Sequence, residues 1–119
     1  MKPDQAEELA RTAAESWLAH IDRGDTATSW NAAHSGFRAA TTQEGWATAL
    51  GQALDPLGPF RRRSFTSAQY RSELPGAPDG HYVILIYASA FEKKAHAIET
   101  VVPALDTDGH WRVSGYFVK

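Results

Sequence analysis

Glu99 is the residue whose type and setting are most suggestive of chemistry. It lies in the middle of a stretch of alternating apolar residues, Ala95 to Leu105. A carboxylate on the core side of such a strand is costly to bury unless it is paired, hydrogen-bonded or protonated. Two readings follow. At the bottom of a pocket between helices and sheet, Glu99 would serve as a base or a ligand anchor, with Trp30, Arg38, Trp46 and Tyr82 as the surrounding binding residues. As a structural group, it would be neutralised by Arg38, a backbone amide or a tryptophan N–H. Tyr70 and Tyr87 are further hydroxyl donors that such a pocket could recruit.

The other reactive residue types do not form patterns. His20, His34, His81, His96 and His110 contain no pair four residues apart and no HExxH, so no metal site is expected. There is no cysteine, which excludes disulfides, thiolate catalysis and thiolate-bound metal. No nucleophile elbow, phosphate loop or dinucleotide fingerprint occurs, and Ser114-Gly115 reads as a strand bend. No catalytic residue and no cofactor is therefore assigned. Trp17, Trp30 and Trp46 fall one on each expected helix, where core packing is the ordinary role. Arg61, Arg62 and Arg63 form the sole basic run and read as the solvated start of a strand. With twelve basic against fourteen acidic residues, no nucleic-acid partner is expected.

The elements that must position these residues are legible in the periodicity. From Asp4 to about Ile21 an apolar stripe recurs at helical spacing through Ala6, Leu9, Ala10, Ala13, Trp17, Leu18 and Ile21. Gly24 ends this helix and Asp25 caps a short second one through Trp30 to about His34. A third begins at Thr41, with a capping-box partner at Glu44, and stops at Asp55-Pro56. From Phe60 the period changes to two. Strands are expected over Ser64–Glu73, His81–Phe91, Ala95–Leu105 and Trp111–Val118. Loops rich in Pro, Gly, Asp and Lys separate them. The fold class is thus α+β, a single domain over residues 4–119, with three N-terminal helices packed on a curved four-stranded antiparallel meander.

Register assigns the two faces. The Asp106-Thr107-Asp108-Gly109 turn, with Gly109 left-handed, pairs Asp106 with His110. Trp111, Val113, Gly115 and Phe117 then sit beside Leu105, Pro103, Val101 and Glu99. A two-residue turn at Lys93-Lys94 adds Tyr82, Ile84, Ile86 and Ala88 to that helix-covered face. The opposite face would carry Val83, Leu85, Tyr87, Phe91, Ile98, Val102, Arg112, Ser114 and Tyr116. It is too apolar for solvent alone, and a second copy of the chain is its expected partner. No apolar stretch approaches the roughly 18 residues a membrane span needs, so no membrane span is expected.

Four blocks together carry a resemblance. They are Trp17-Leu18 with Asp22, Gly24-Asp25 and Ser29-Trp30; Phe37-Arg38 with Thr42-Gln43-Glu44 and Trp46; Leu74-Pro75-Gly76-Ala77-Pro78-Asp79-Gly80 with Tyr82-Val83; and Glu99-Thr100-Val101 through Tyr116. In these the chain resembles a family of small bacterial domains of unknown function. The resemblance implies an exported protein, periplasmic or secreted, whose leader is absent from this chain. The chain itself opens Met1-Lys2-Pro3-Asp4 into a charged helix, which alone would suit the cytoplasm. The helix-then-meander order also resembles cystatin-like and nuclear-transport-factor-like folds, which host both enzymes and binding modules. Two functions follow as expectations: a non-catalytic module for a small-molecule or protein ligand, or a small isomerase-, cyclase- or hydratase-like enzyme using Glu99.

Overall fold

The computed structural model describes residues 1–119. Four α-helices precede four strands. They are α1 (Pro3–Asp22), α2 (Thr26–Asn31), α3 (Ser35–Ala40) and α4 (Gln43–Leu54), then β1 (Phe60–Arg71), β2 (Tyr82–Phe91), β3 (Lys94–Leu105) and β4 (Trp111–Val118). The strands form one antiparallel sheet in chain order. This is the α+β meander expected, with one more helix than the three anticipated.

The extra helix is α3, which fills the stretch between the second helix expected, to about His34, and the third expected from Thr41. Asp25 caps α2 through the Thr28 amide at 3.2 Å, but α2 ends at Asn31. His34 then caps α3 by accepting from the Gly36 amide at Nδ1, 2.9 Å. Histidine in that role gives no conventional sequence signal. The cap of α4 is Thr42, whose hydroxyl accepts from the Gly45 amide at 3.0 Å, one residue beyond the Thr41 expected. Thr41 is extended, and its carbonyl accepts the Trp30 indole N–H at 2.7 Å instead.

α1 packs against all four strands. Pro3 occupies its first turn, where a missing N–H costs nothing. Gly24, at φ 72°, reverses the chain, and the Asp25 amide reaches back to the His20 carbonyl at 2.9 Å. The buried stripe is Ala6, Ala10, Ala14, Trp17, Leu18 and Ile21. Ala14 replaces the expected Leu9, which is exposed. Ala6, Ala10 and Ala14 present small side chains to the sheet, and Trp17, Leu18 and Ile21 continue the buried stripe into the core.

The sheet corrects the expected faces. The helix-covered set on β2 is Val83, Leu85, Tyr87 and Ser89, all buried, rather than Tyr82, Ile84, Ile86 and Ala88. The turn after β2 is Glu92-Lys93, one residue earlier than Lys93-Lys94, and a ladder irregularity follows between Ser89 and Phe91. Leu85 therefore pairs with Val101 and Tyr87 with Glu99. A one-residue slip of this kind exchanges the two faces of a strand.

On β4 the expected register holds at Leu105–Trp111 and Pro103–Val113, then shifts. Pro103 has no N–H for the ladder. The irregularity falls beside it, and the Ser114 hydroxyl bonds the Val102 carbonyl at 2.7 Å. Beyond this bulge Tyr116 pairs with Val101 and turns toward the helices. Phe117, expected inside, is 63% exposed on the other face.

Candidate functional site

Glu99 is brought into the core by β3, and its side chain has no solvent exposure. Its partner is Arg63 on β1, not Arg38. Arg63 donates from Nε to Oε1 at 2.7 Å and from Nη2 to Oε2 at 3.1 Å. The Ser89 hydroxyl donates to Oε1 and the Tyr116 hydroxyl to Oε2. Two oxygens with about four acceptor positions thus receive four donors. Arg63 carries a second bidentate pair, to Asp22 at the end of α1, at 2.9 and 2.9 Å. The cluster ties all the strands to α1 through one guanidinium.

The protonation states follow from these contacts. Burial pushes the Glu99 carboxyl up, but the hydrogen bonds from Arg63, Ser89 and Tyr116 outweigh it and hold the pKa below its ordinary value. Burial and the Glu99 charge raise the Tyr116 phenol far above the usual tyrosine range, so it stays protonated as a donor. Burial lowers Arg63, and its two carboxylates more than restore it. Glu99 is an ionised, fully engaged carboxylate. A general base needs a free lone pair within reach of the proton it takes. Two grooves approach the cluster. One, of about 450 Å³, is bordered by Arg63, Tyr87 and Phe60, and another, of about 390 Å³, by Arg63, Ser89 and Ile98. Glu99 lines neither.

The other sequence-predicted site residues do not gather around Glu99. Trp46 is buried and donates its N–H to the Ser29 hydroxyl at 2.9 Å. Trp17 donates to the Ser29 carbonyl at 2.8 Å. Trp30 is half-buried on Thr41. Arg38 is exposed and donates to the Ala33 carbonyl at 3.1 Å. Tyr82 lies on the outer sheet face, its hydroxyl on the Pro78 carbonyl. What sequence reasoning missed was Arg63, Asp22, Ser89 and Tyr116. A signal existed for Arg63: it is the last residue of the basic run and shares the parity of Phe65, which pairs with Tyr87, Glu99's own strand partner, once β1 is extended to Phe60.

A second buried carboxylate fastens the helices to the last hairpin. Asp106 accepts from the Ser35 amide at 3.0 Å, the Ser35 hydroxyl at 2.6 Å, the Thr107 amide at 2.9 Å and Arg112 Nη1 at 3.2 Å. Burial opposes ionisation there, but these donors hold its pKa well below the carboxylate range. Ser35, His34 and Asp106 are close, yet the serine donates to the aspartate and not to the histidine, so they do not form a nucleophile and base.

Residues 13–116 match the model of a family described as a protein of unknown function, DUF4019. The chain belongs to that family. No curated protein and no solved structure matches it. The DUF4019 match spans both carboxylate clusters, from Trp17 and Asp22 to Tyr116. It assigns no activity to either. No helix of the structure is long and apolar enough to cross a membrane.

Proposed function

We propose that this member of DUF4019 is a non-catalytic binding module that self-associates through the bare face of its sheet. The observation that carries the reading is the outer face itself. Across the register, Ile84 lies beside Val102 and Gly115, Ile86 beside Thr100 and Phe117, and Ala88 beside Ile98. Phe117 is 63% and Ile98 45% exposed, and no helix crosses this side. The Phe117 ring leans over Gly115, where an added Cβ would meet it at 3.3 Å.

A second copy is the occupant favoured by the uncharged apolar centre and by area. The two central rows contain no charged residue, so two copies can meet about a two-fold axis with no charge buried at its centre. The charges stand at the edges, in Arg62, Arg71, Arg112 and Lys119, all basic, where solvent can screen them. Four strands spaced by about 4.8 Å over about eight residues of 3.3 Å rise offer about 500 Å² per copy. A pair would bury about 1,000 Å², the lower limit of a specific interface. Acid–base work by Glu99 would require it to shed one of its four donors, which is why the enzyme reading ranks second.

Light scattering across a concentration series tests this directly. Dimers that become monomers in Phe117→Lys and Ile98→Lys, with the circular dichroism spectrum unchanged, support it. A monomer at every concentration up to about 100 μM sinks it. The family resemblance also supports placing the chain in the periplasm or outside a bacterial cell, and its fold among the cystatin-like and nuclear-transport-factor-like cones. Cell fractionation of the native gene product and an experimental structure are the respective checks.

A further inference from the structure

The three arginines of the basic run have different surroundings. Arg61 lies 3.6 Å from Glu92 on the β2–β3 turn, and Arg63 turns inward to Glu99 and Asp22. Arg62, between them, is exposed and has no carboxylate partner. It borders the groove of about 390 Å³ at the Phe60 end of the sheet. Arg62 pairs with Ala90, and the ladders on both sides of Ala90 are irregular. On β1, Arg61 is an extra residue between the Phe60–Phe91 and Arg62–Ala90 pairs. On β3, Ala95 and His96 together oppose Ala90, between the Ser89–Ala97 and Phe91–Lys94 pairs. Bulges re-aim the side chains beside them and are over-represented next to functional sites. Here they flank one groove, with Arg62 and His96 on its rim from the strands on either side of Ala90.

Every polar side chain on this groove can donate a hydrogen bond. Arg62 can only donate, while the Ser64 hydroxyl and the His96 ring can donate or accept. All three are exposed and none is engaged within the protein. Arg63 and Ser89 also border the groove, but they are held by Asp22 and Glu99. No carboxylate lines it. The remaining surface is apolar, with Ala88, Ala90, Ala95 and Ile98. A cationic, donor-rich rim beside a small apolar surface suits an oxyanion carried on an apolar body. A guanidinium matches two oxygens of a phosphate at once, which a carbonyl ligand cannot offer. The volume lies within the range of small-molecule sites.

We propose that this groove binds the phosphate group of a small monoester. Arg62 holds two of the phosphate oxygens, Ser64 and His96 donate to the third, and the apolar body of the ester rests on Ala88, Ala90 and Ile98. Free inorganic phosphate carries the same charge without the body, so the two are compared below. The site does not rest on self-association, although Ile98 is common to the groove and to the face proposed for a second copy.

The test titrates the ¹⁵N-labelled full chain with phenyl phosphate and, separately, with inorganic phosphate, at an ionic strength held constant with sodium chloride. The amide signals of Ala90, Ala95, His96 and Ala97 and the Arg62 Nε–H signal should shift saturably. Phenyl phosphate should bind with a Kd of about 1 mM or tighter, and inorganic phosphate at least about threefold more weakly. Arg62→Gln should weaken phenyl phosphate at least about tenfold and His96→Gln about threefold. Arg61→Gln removes the same charge one residue away and should change the affinity by less than about twofold. Arg62 makes no bond within the protein, so Arg62→Gln folds, and an unchanged circular dichroism spectrum checks this. Repeating the titration in Phe117→Lys keeps the groove open to the ligand whatever the state of association. The proposal is overturned if neither the parent nor Phe117→Lys shows a saturable shift up to about 20 mM phenyl phosphate. It is equally overturned if Arg61→Gln costs as much as Arg62→Gln, if Arg62→Gln binds as the parent does, or if inorganic phosphate binds as tightly as the ester.

Discussion

Replacing Arg63 by Met would leave Glu99 ionised, buried and without a cation, and the size of the resulting loss can be worked from the cluster. Arg63 makes four charge-assisted hydrogen bonds, two to Glu99 and two to Asp22. Asp22 sits at the rim, with its side chain 22% exposed, and rehydrates when freed. Glu99 cannot, having no exposure at all. Removing one partner of a buried pair costs about 3–5 kcal/mol. Methionine occupies much of the arginine's length, so little cavity penalty is added. With a urea m-value of about 1.5 kcal/mol/M, the unfolding midpoint should fall by about 2–3 M.

The dependence on pH separates this cause from simple loss of packing. In the parent protein the folded pKa of Glu99 lies below its unfolded value, so its contribution is present above pH of about 4.3 and lost as pH falls below that. In Arg63→Met burial acts without the guanidinium and the folded pKa moves above the unfolded one. The variant then gains relative to the parent as pH falls from 7 to 5. Tryptophan fluorescence and circular dichroism in urea at both pH values measure the difference. Glu99→Gln in the Arg63→Met background should recover at least half of the loss, because no charge is left buried. A cost under about 1 kcal/mol at pH 7, or an equal cost at pH 5 and pH 7, refutes the account.

Ser29→Ala removes the acceptor of the Trp46 N–H and the donor to the Thr26 carbonyl, and should cost about 1–3 kcal/mol in urea unfolding. Its backbone bond to Trp17 is unaffected, so the fluorescence change should arise from Trp46 alone. Asp106→Asn should destabilise by about 1–2 kcal/mol at pH 7. Asp106 has a depressed folded pKa, so its contribution is lost as pH falls below about 3.9, and the gap between variant and parent should narrow in acid titrations followed by circular dichroism. Gly24→Ala meets no atom within 4 Å, so its cost should be the left-handed backbone alone, about 1 kcal/mol by thermal unfolding.

Much of the architecture is legible in local chemistry. Gly24 and Asp25 mark the break between α1 and α2 because one adopts positive φ and the other caps. Asp106 to Gly109 sets the last hairpin, with Gly109 at φ 86° and Leu105 opposite Trp111. That pairing is enough to turn Glu99 inward. Its partner was not legible. Arg63 and Glu99 are 36 residues apart, and the parity that turns Arg63 inward shows only once β1 is extended back to Phe60, four residues before the strand start expected from the alternation. The His34 cap and the α3 it starts were also hidden, because a histidine ring accepting a backbone amide is an uncommon cap.

The sequence by itself determines the order of helices and strands, the meander connectivity and the presence of a carboxylate on the core side of β3. Only the tertiary structure decides which face of β2 is covered. Val83, Leu85 and Tyr87 are as apolar as Tyr82, Ile84 and Ile86, so alternation along the strand is symmetric between them. Two ladder irregularities, after Ser89 and beside Pro103, then select the faces. A one-residue slip leaves the number of strand hydrogen bonds nearly unchanged. Its cost appears only when the sheet meets the alanine stripe of α1 and when Glu99 must find Arg63, Ser89 and Tyr116 on the same side.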